Sequence, residues 1–224
     1  MKKIFLAFIV FHLVTFAASA QIQKGSVLFG GYANFSNDNT EQAVQGISQN
    51  IKTNGFSFDP RIGFAVGNNW VIGSTLSIGT SKTIIVDETV TSTNFNSGTR
   101  TTKANAFGVA LFARKYLPFG DKFSAFAELS SGATWNNSTS TYVTSSITFD
   151  SDSKYNSYQT SLSTGLAYFP KNWMAIELST NLVSFTNSTQ DSDNDSSNRR
   201  SNSFDLGFNT AAINLGLSFF LKNK

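Results

Sequence analysis

Cysteine is absent from the chain, and histidine occurs once, at His12. Without cysteine neither disulfides nor thiolate chemistry is available. Charged residues make up only 14% of the sequence, and no basic run forms a nucleic-acid patch. Long apolar runs are missing too, apart from one near the amino terminus. After residue 20 no apolar stripe of helical period appears. Proline is limited to Pro60, Pro118 and Pro170, each beside or within an alternating segment.

The single apolar run, Ile4 to Phe16, follows Lys2 and Lys3 and precedes Ala18-Ser19-Ala20. A basic start, a short apolar middle and a small-residue site predict a secretory signal peptide over residues 1–20, cut before Gln21. A membrane anchor is excluded by length, because a spanning helix needs about 20 apolar residues. Residues 21–224 are then one mature domain. Without Lys2 and Lys3 the 17 basic residues fall to 15, against 14 acidic. His12 leaves with the leader, so Ser-His-Asp and Cys-His nucleophilic sites are excluded. Ordinary zinc and transition-metal sites go with them. No catalytic residue, metal or cofactor is expected, and the chain is not expected to be an enzyme.

What is present is alternation, clearest over Ala104–Trp135. Phe107, Val109, Leu111 and Ala113 share one face, with Gly108, Ala110, Phe112 and Arg114 opposite. After Pro118-Phe119-Gly120-Asp121, Phe123, Ala125, Ala127, Leu129 and Ala133 share a face, opposite Ser124, Phe126, Glu128, Ser130 and Gly132. A period of two is a strand signal. Each run has about the 9–11 residues of a tilted membrane strand.

The pattern recurs along the chain. Ser26–Phe35 is a first strand whose glycines blur its faces. Phe56, Phe58, Ile62, Phe64 and Val66 mark a second, with Pro60 in an outward position. Trp70, Ile72, Leu76 and Ile78 mark a third. Tyr158, Leu162, Leu166 and Tyr168 face outward in a sixth, and Met174, Ile176, Leu178 and Leu182 in a seventh. The eighth has two phases, even at Phe204, Leu206 and Phe208 but odd from Ile213 to Leu221. A bulge within Asn209–Ala212 is expected to reconcile them. Short turns alternate with four polar stretches, Ser36–Thr53, Ser81–Lys103, Asn136–Lys154 and Asn187–Asn202, read as long loops. The expectation is all-β: an eight-stranded antiparallel up-and-down transmembrane β-barrel, short turns periplasmic and loops outside.

A soluble barrel would also alternate, with its apolar face inward. Here the other face is Gly, Ala and Ser, as the filled interior of a narrow barrel requires. Lys115 is the one charged residue in an outward position of the strands, two residues from a turn, where it can reach the headgroups. Trp70, Phe119, Phe169 and Trp173 near the short turns, with Trp135, Tyr155 and Tyr158 toward the loops, are expected to form two aromatic belts. At the carboxyl end Asn214, Gly216, Phe219 and Leu221 match the terminal assembly signal of barrel proteins, followed by a departure, Lys222-Asn223-Lys224.

On these patterns the mature chain resembles the small OmpA/OmpX-like family of eight-stranded outer-membrane β-barrel domains. The resemblance implies residence in the outer membrane of a Gram-negative bacterium. It also implies contact with outer-membrane lipids and the barrel-assembly machinery. Because the sequence ends with the eighth strand, no peptidoglycan-binding domain of the OmpA kind is expected to follow.

Asp59, Arg61, Arg114, Glu128 and Glu177 all fall on the inward phase near short turns. They are expected to form a lumenal ionic cluster, since charges in a narrow barrel must be paired. Pairing Leu117 with Phe123 would set Arg114 opposite Phe126 and diagonal to Glu128. Asp191, Asp193 and Asp195 open like a calcium loop, but Ser196 and Asn202 stand where glycine and glutamate belong. A solvated loop is expected there, with no metal. The function expected is structural or interactive: envelope integrity, adhesion, or binding of an extracellular ligand or surface partner through the loops. A porin-like, low-conductance channel for ions or small solutes is the alternative.

Overall fold

The computed structural model describes residues 22–44, 47–67, 69–91, 94–144, 147–192, 195–207 and 213–221. The expected signal peptide, the cleavage point before Gln21, Asp193, the bulge within Asn209–Ala212 and the Lys222–Lys224 tail lie outside the described residues. Nine strand segments follow in order: β1 Val27–Val44, β2 Ile47–Gly67, β3 Trp70–Thr91, β4 Asn94–Pro118, β5 Phe123–Val143, β6 Thr148–Lys171, β7 Met174–Ser192, β8 Asp195–Leu206 and β9 Asn214–Leu221.

Each neighbouring pair from β1 to β7 is antiparallel. β8 and β9 together supply the eighth strand, both pairing with β7. The ring closes where Val27–Tyr32 of β1 meets Leu221–Gly216 of β9. Among the described residues, β1 beyond Tyr32 pairs only with β2, and β8 pairs only with β7.

The alternation explains which face is which. Phe107, Val109 and Leu111 are exposed on the outside of β4, whereas Phe112, Arg114 and Tyr116 are buried inside. The same inversion holds around the ring, so the large apolar side chains form an exposed band and the small polar ones line the lumen. In water such a band would be an extensive unpaired patch; against lipid chains it is the stable arrangement. The ambiguous first strand follows the rule, with Leu28 and Tyr32 buried and Phe29 and Phe35 outside.

Three details depart from the sequence expectation. Leu117 lies opposite Ala125, not Phe123, which sets Arg114 directly opposite Glu128. The turn is two residues longer than a minimal hairpin. The Phe119 N–H donates to the Phe123 carbonyl at 2.9 Å, and Gly120 takes the left-handed conformation at φ 77°. In β7 the register slips between Asn181 and Val183, so Leu182 is a bulge. This moves the outward phase from Leu178 to Phe185, and β8 and β9 show the matching change, with Phe204 and Leu206 outward and then Ile213, Leu215 and Leu217. At Pro60, which has no N–H, the ladder toward β3 is interrupted between Phe58 and Arg61.

The third departure is the largest. The four polar stretches expected as loops are mostly strand: β4 runs for 25 residues and β6 for 24. At about 3.3 Å per residue each is more than twice the length a bilayer needs. Threonine suits strands, and the ladder carries on outward with paired hydroxyls, Thr53 to Thr83 at 3.2 Å, Thr102 to Ser140 at 2.9 Å and Ser138 to Ser153 at 2.7 Å. The barrel wall therefore projects beyond the membrane as hairpins wet on both faces.

Candidate functional site

The lumen is built in layers. Nearest the short turns, β4 and β5 bring Tyr116 and Phe126 side by side, 5.7 Å between ring centroids. Phe220 from β9 and Phe169 from β6 meet the same tyrosine edge-on at 6.0 and 6.3 Å. Leu28, Val71, Ala167 and Ala175 complete a layer with no appreciable exposure. Apolar side chains fill most of this end of the narrow barrel, with the buried Ser124 and Ser218 among them.

The ionic layer sits on this floor. The Arg114 guanidinium is fully buried and each of its N–H groups has a partner. Nε donates to Glu128 Oε2 at 2.7 Å, and Nη1 donates to Glu177 Oε2 at 2.7 Å and to the Tyr116 hydroxyl at 2.8 Å. Nη2 donates to the Tyr32 hydroxyl at 2.9 Å and pairs with Glu128 Oε2 at 2.6 Å. Arg61 grips the same Glu128 with both terminal nitrogens, at 3.0 and 3.2 Å. Tyr32 and Tyr116 each donate to Glu177, at 2.9 and 2.8 Å. Aromatic faces cover the cations: Arg114 lies 4.1 Å from the Phe126 centroid, and Arg61 sits 4.6 Å from Tyr32 and 4.7 Å from Phe112. Two arginines and two glutamates leave this layer with no net charge.

Of the five residues expected in the cluster, Arg61, Arg114, Glu128 and Glu177 meet in it. Asp59 takes no part in that ion-paired layer; it lies near Arg61 and Ser77 and lines the space above. Tyr32 and Tyr116 belong to the layer and were not expected there. Tyr116 shares the inward phase with Arg114, which is a readable signal, whereas the face of Tyr32 was hidden by Gly30 and Gly31.

Above the ionic layer a cavity of about 220 Å³ is lined by Thr75, Ser77, Ser130, Ser161 and Asn181. A second, of about 440 Å³, lies further out among Asn34, Ser57, Ser81, Asn136 and Asn214. The lumen is thus a cup with polar walls, floored by the ionic layer. No group of His, Cys, Asp and Glu side chains suited to a metal occurs among the described residues. Asp195 opens strand β8 and Asn202 lies opposite Asn187 within it, so the stretch read as a calcium-like loop is part of a hairpin.

The aromatic residues divide. Trp70, Phe119, Trp173, Trp135 and Tyr158 are exposed on the outer surface. Lys115 Nζ lies 5.4 Å from the Trp70 ring, Trp173 stacks on Phe219 at 6.1 Å, and Phe107 stacks on Trp135 at 6.1 Å. Phe169 is not in the belt: only 4% exposed, it packs inside against Phe220 at 5.8 Å, because it falls on the odd, lumenal phase of β6. Tyr155 has the same phase, lies opposite Asn136 and faces the inner side of the projecting wall. Of the terminal signal residues, Asn214 and Gly216 pair with Ser179 and Glu177 of β7, while Phe219 and Leu221 pair with Phe29 and Val27 of β1.

A closed antiparallel ring with an apolar band outside and paired charges inside defines an outer-membrane β-barrel protein. The chain belongs to the outer membrane protein beta-barrel domain family, whose model matches residues 19–190. It resides in the outer membrane of a Gram-negative bacterium, in contact with its lipids. Similar solved structures include the outer membrane protein OprG from Pseudomonas aeruginosa, with 11% identity and a TM-score of 0.45, covering 92% of this chain and 100% of that one. Another is Ail, the attachment invasion locus protein of Yersinia pestis, with 14% identity and a TM-score of 0.33, covering 89% and 100%. No curated protein matches the chain.

Proposed function

We propose that this barrel is a non-catalytic anchor that holds a rigid polar wall outside the cell for contact with surface partners, and that it does not conduct. One observation carries the reading. The periplasmic end of the lumen is closed by Leu28, Val71, Arg114, Tyr116 and Phe126, all with essentially no exposure. Ions entering the cup meet a layer of neutralised charge and then an apolar floor, with no hydrated path beyond. The projecting hairpins supply the contact surface, rich in hydroxyl and amide groups and braced by cross-strand hydrogen bonds. Binding commonly resides on segments positioned by such a scaffold. Adhesion, ligand binding and envelope integrity all fit this surface. Insertion of the chain into the membrane by the barrel-assembly machinery belongs to the same reading, supported by the terminal strand that closes the ring.

Planar-bilayer recording tests it. The wild-type protein is expected to give no steady conductance under applied voltage. Reproducible single-channel openings that vanish on substitution of Arg61 would instead establish the low-conductance channel.

A further inference from the structure

The regular register of β1–β6 carries on beyond the membrane, and there it assembles a row that no single strand contains. Thr40 lies opposite Ile51, Ile51 opposite Ile85, Ile85 opposite Arg100, Arg100 opposite Tyr142, and Tyr142 opposite Phe149. All six share the inward phase, so the row crosses the inner, concave face of the projecting wall. Polar rows flank it. Two residues closer to the membrane run Thr53, Thr83, Thr102, Ser140 and Ser151, with hydrogen bonds joining Thr53 to Thr83 and Thr102 to Ser140. Two residues further out, Gln42 Nε2 donates to Gln49 Oε1 at 3.0 Å and Gln49 Nε2 donates to Asp87 Oδ1 at 2.8 Å.

The aromatic members are set against the wall and left open to the interior. The Tyr142 ring ends over Gly98, where a Cβ would collide with its hydroxyl, and the Arg100 guanidinium sits 5.8 Å from its centroid. Phe149 is 53% exposed. Tyr155 faces the same way six residues deeper on β6, about 20 Å along the strand. No ion pair among the described residues involves Arg100. Asp87 stands diagonal to it, so the two charges offset each other around the row.

Aromatic faces bordered by hydroxyl, amide and carboxylate groups match a sugar ring, which has an apolar C–H face and a rim of hydroxyls. Other occupants fit poorly. An added peptide strand needs a free backbone edge, and β2–β5 are paired on both sides through the row. A lipid chain would leave the flanking polar groups without partners. We propose that this row binds a neutral oligosaccharide laid across the inner face of the wall. Tyr142 and Phe149 stack on its rings, while Gln42, Gln49 and Asp87 hold its hydroxyls. The site depends on the reading of the wall as a contact surface, not on closure of the lumen.

The full-length protein, refolded in detergent and fluorescently labelled, is applied to an array of neutral, carboxylated and sulfated oligosaccharides. Neutral chains are expected to bind, longer ones more tightly than monosaccharides. Tyr142→Ala is expected to weaken that binding about tenfold, the order of one lost aromatic contact. Gly98→Val, which keeps the ring but displaces it from the wall, is expected to weaken binding as well, whereas Tyr142→Phe retains it. Thr141→Ala, one residue away on the outer face, is expected to change nothing. Absence of binding by the wild type overturns the inference, and binding of the charged classes alone overturns the neutral assignment. Equal binding by wild type, Tyr142→Ala and Gly98→Val overturns the row as the site while leaving the wall as a contact surface. Conductance in a planar bilayer would overturn the closed lumen without touching any of these outcomes, so the two readings fail separately. Should Tyr142→Ala not fold, Phe149→Ala near the hairpin tip decides, with the same expected loss.

Discussion

Arg114→Ala is expected to destabilise the barrel by about 3–5 kcal/mol, measured by urea unfolding in lipid vesicles. The side chain is fully buried, and among the described residues it alone forms ion pairs with both Glu128 and Glu177. Its removal leaves Arg61 to neutralise Glu128 but strands Glu177, whose oxygens keep only the hydroxyls of Tyr32 and Tyr116. A carboxylate held in a dry layer by two neutral donors is not compensated for the water it has lost. The companion experiment removes both charges. In Arg114→Met/Glu177→Leu the remaining Arg61–Glu128 pair is again neutral, and apolar side chains extend the aromatic floor. The double variant is expected to be markedly more stable than Arg114→Ala, since replacing a buried pair costs far less than breaking it. Equal midpoints for wild type and Arg114→Ala would mean that the ionic layer contributes nothing to holding the ring together.

Leu111→Arg tests the outside of the same strand. Leu111 is 70% exposed, midway between the Phe107 and Leu117 ends of the apolar band. An arginine near the bilayer midplane costs about 2–4 kcal/mol in a β-barrel. The same substitution at Thr141, on the outward phase of the projecting part of β5, places the charge in water and is expected to change stability by less than about 0.5 kcal/mol. The contrast is read by unfolding both variants in vesicles. Equal effects at the two sites would mean that lipid does not contact the Leu111 face.

Both experiments depend on knowing which way a residue points, and that much was legible in the chain. Strict alternation at Phe107–Arg114 and Phe123–Glu128 settles the two faces without any coordinates, because the side-chain period of a strand is two. Four of the five charged residues assigned to the lumen meet there for that reason. Where alternation was broken, reading was harder. Gly30 and Gly31 conceal the inward direction of Tyr32, and the alternation that predicts an outward Leu182 is broken by a bulge there, which shifts the rest of β7. Phe169 lies near a turn, where a belt residue is expected, but phase, not position, decides its side.

The projecting wall shows a different limit. Ser36–Thr53 and Asn136–Lys154 are mostly polar on both faces, with only scattered apolar residues such as Ile51 and Val143, so no sustained apolar alternation marks them as strand and composition alone reads as loop. Their ladders exist because each hairpin continues one already registered in the membrane.

The amino-acid sequence by itself determined the class of fold, the membrane-facing surface and the identity of the charges that must be buried together, because each follows from a local two-residue period and from what the chain lacks. Only the tertiary structure decided how those charges pair. The register that sets Arg114 opposite Glu128 and the closure that brings Glu177 and Tyr32 to the same guanidinium depend on turn length, bulges and ring closure. Those are properties of strands relative to one another, and no single strand encodes them.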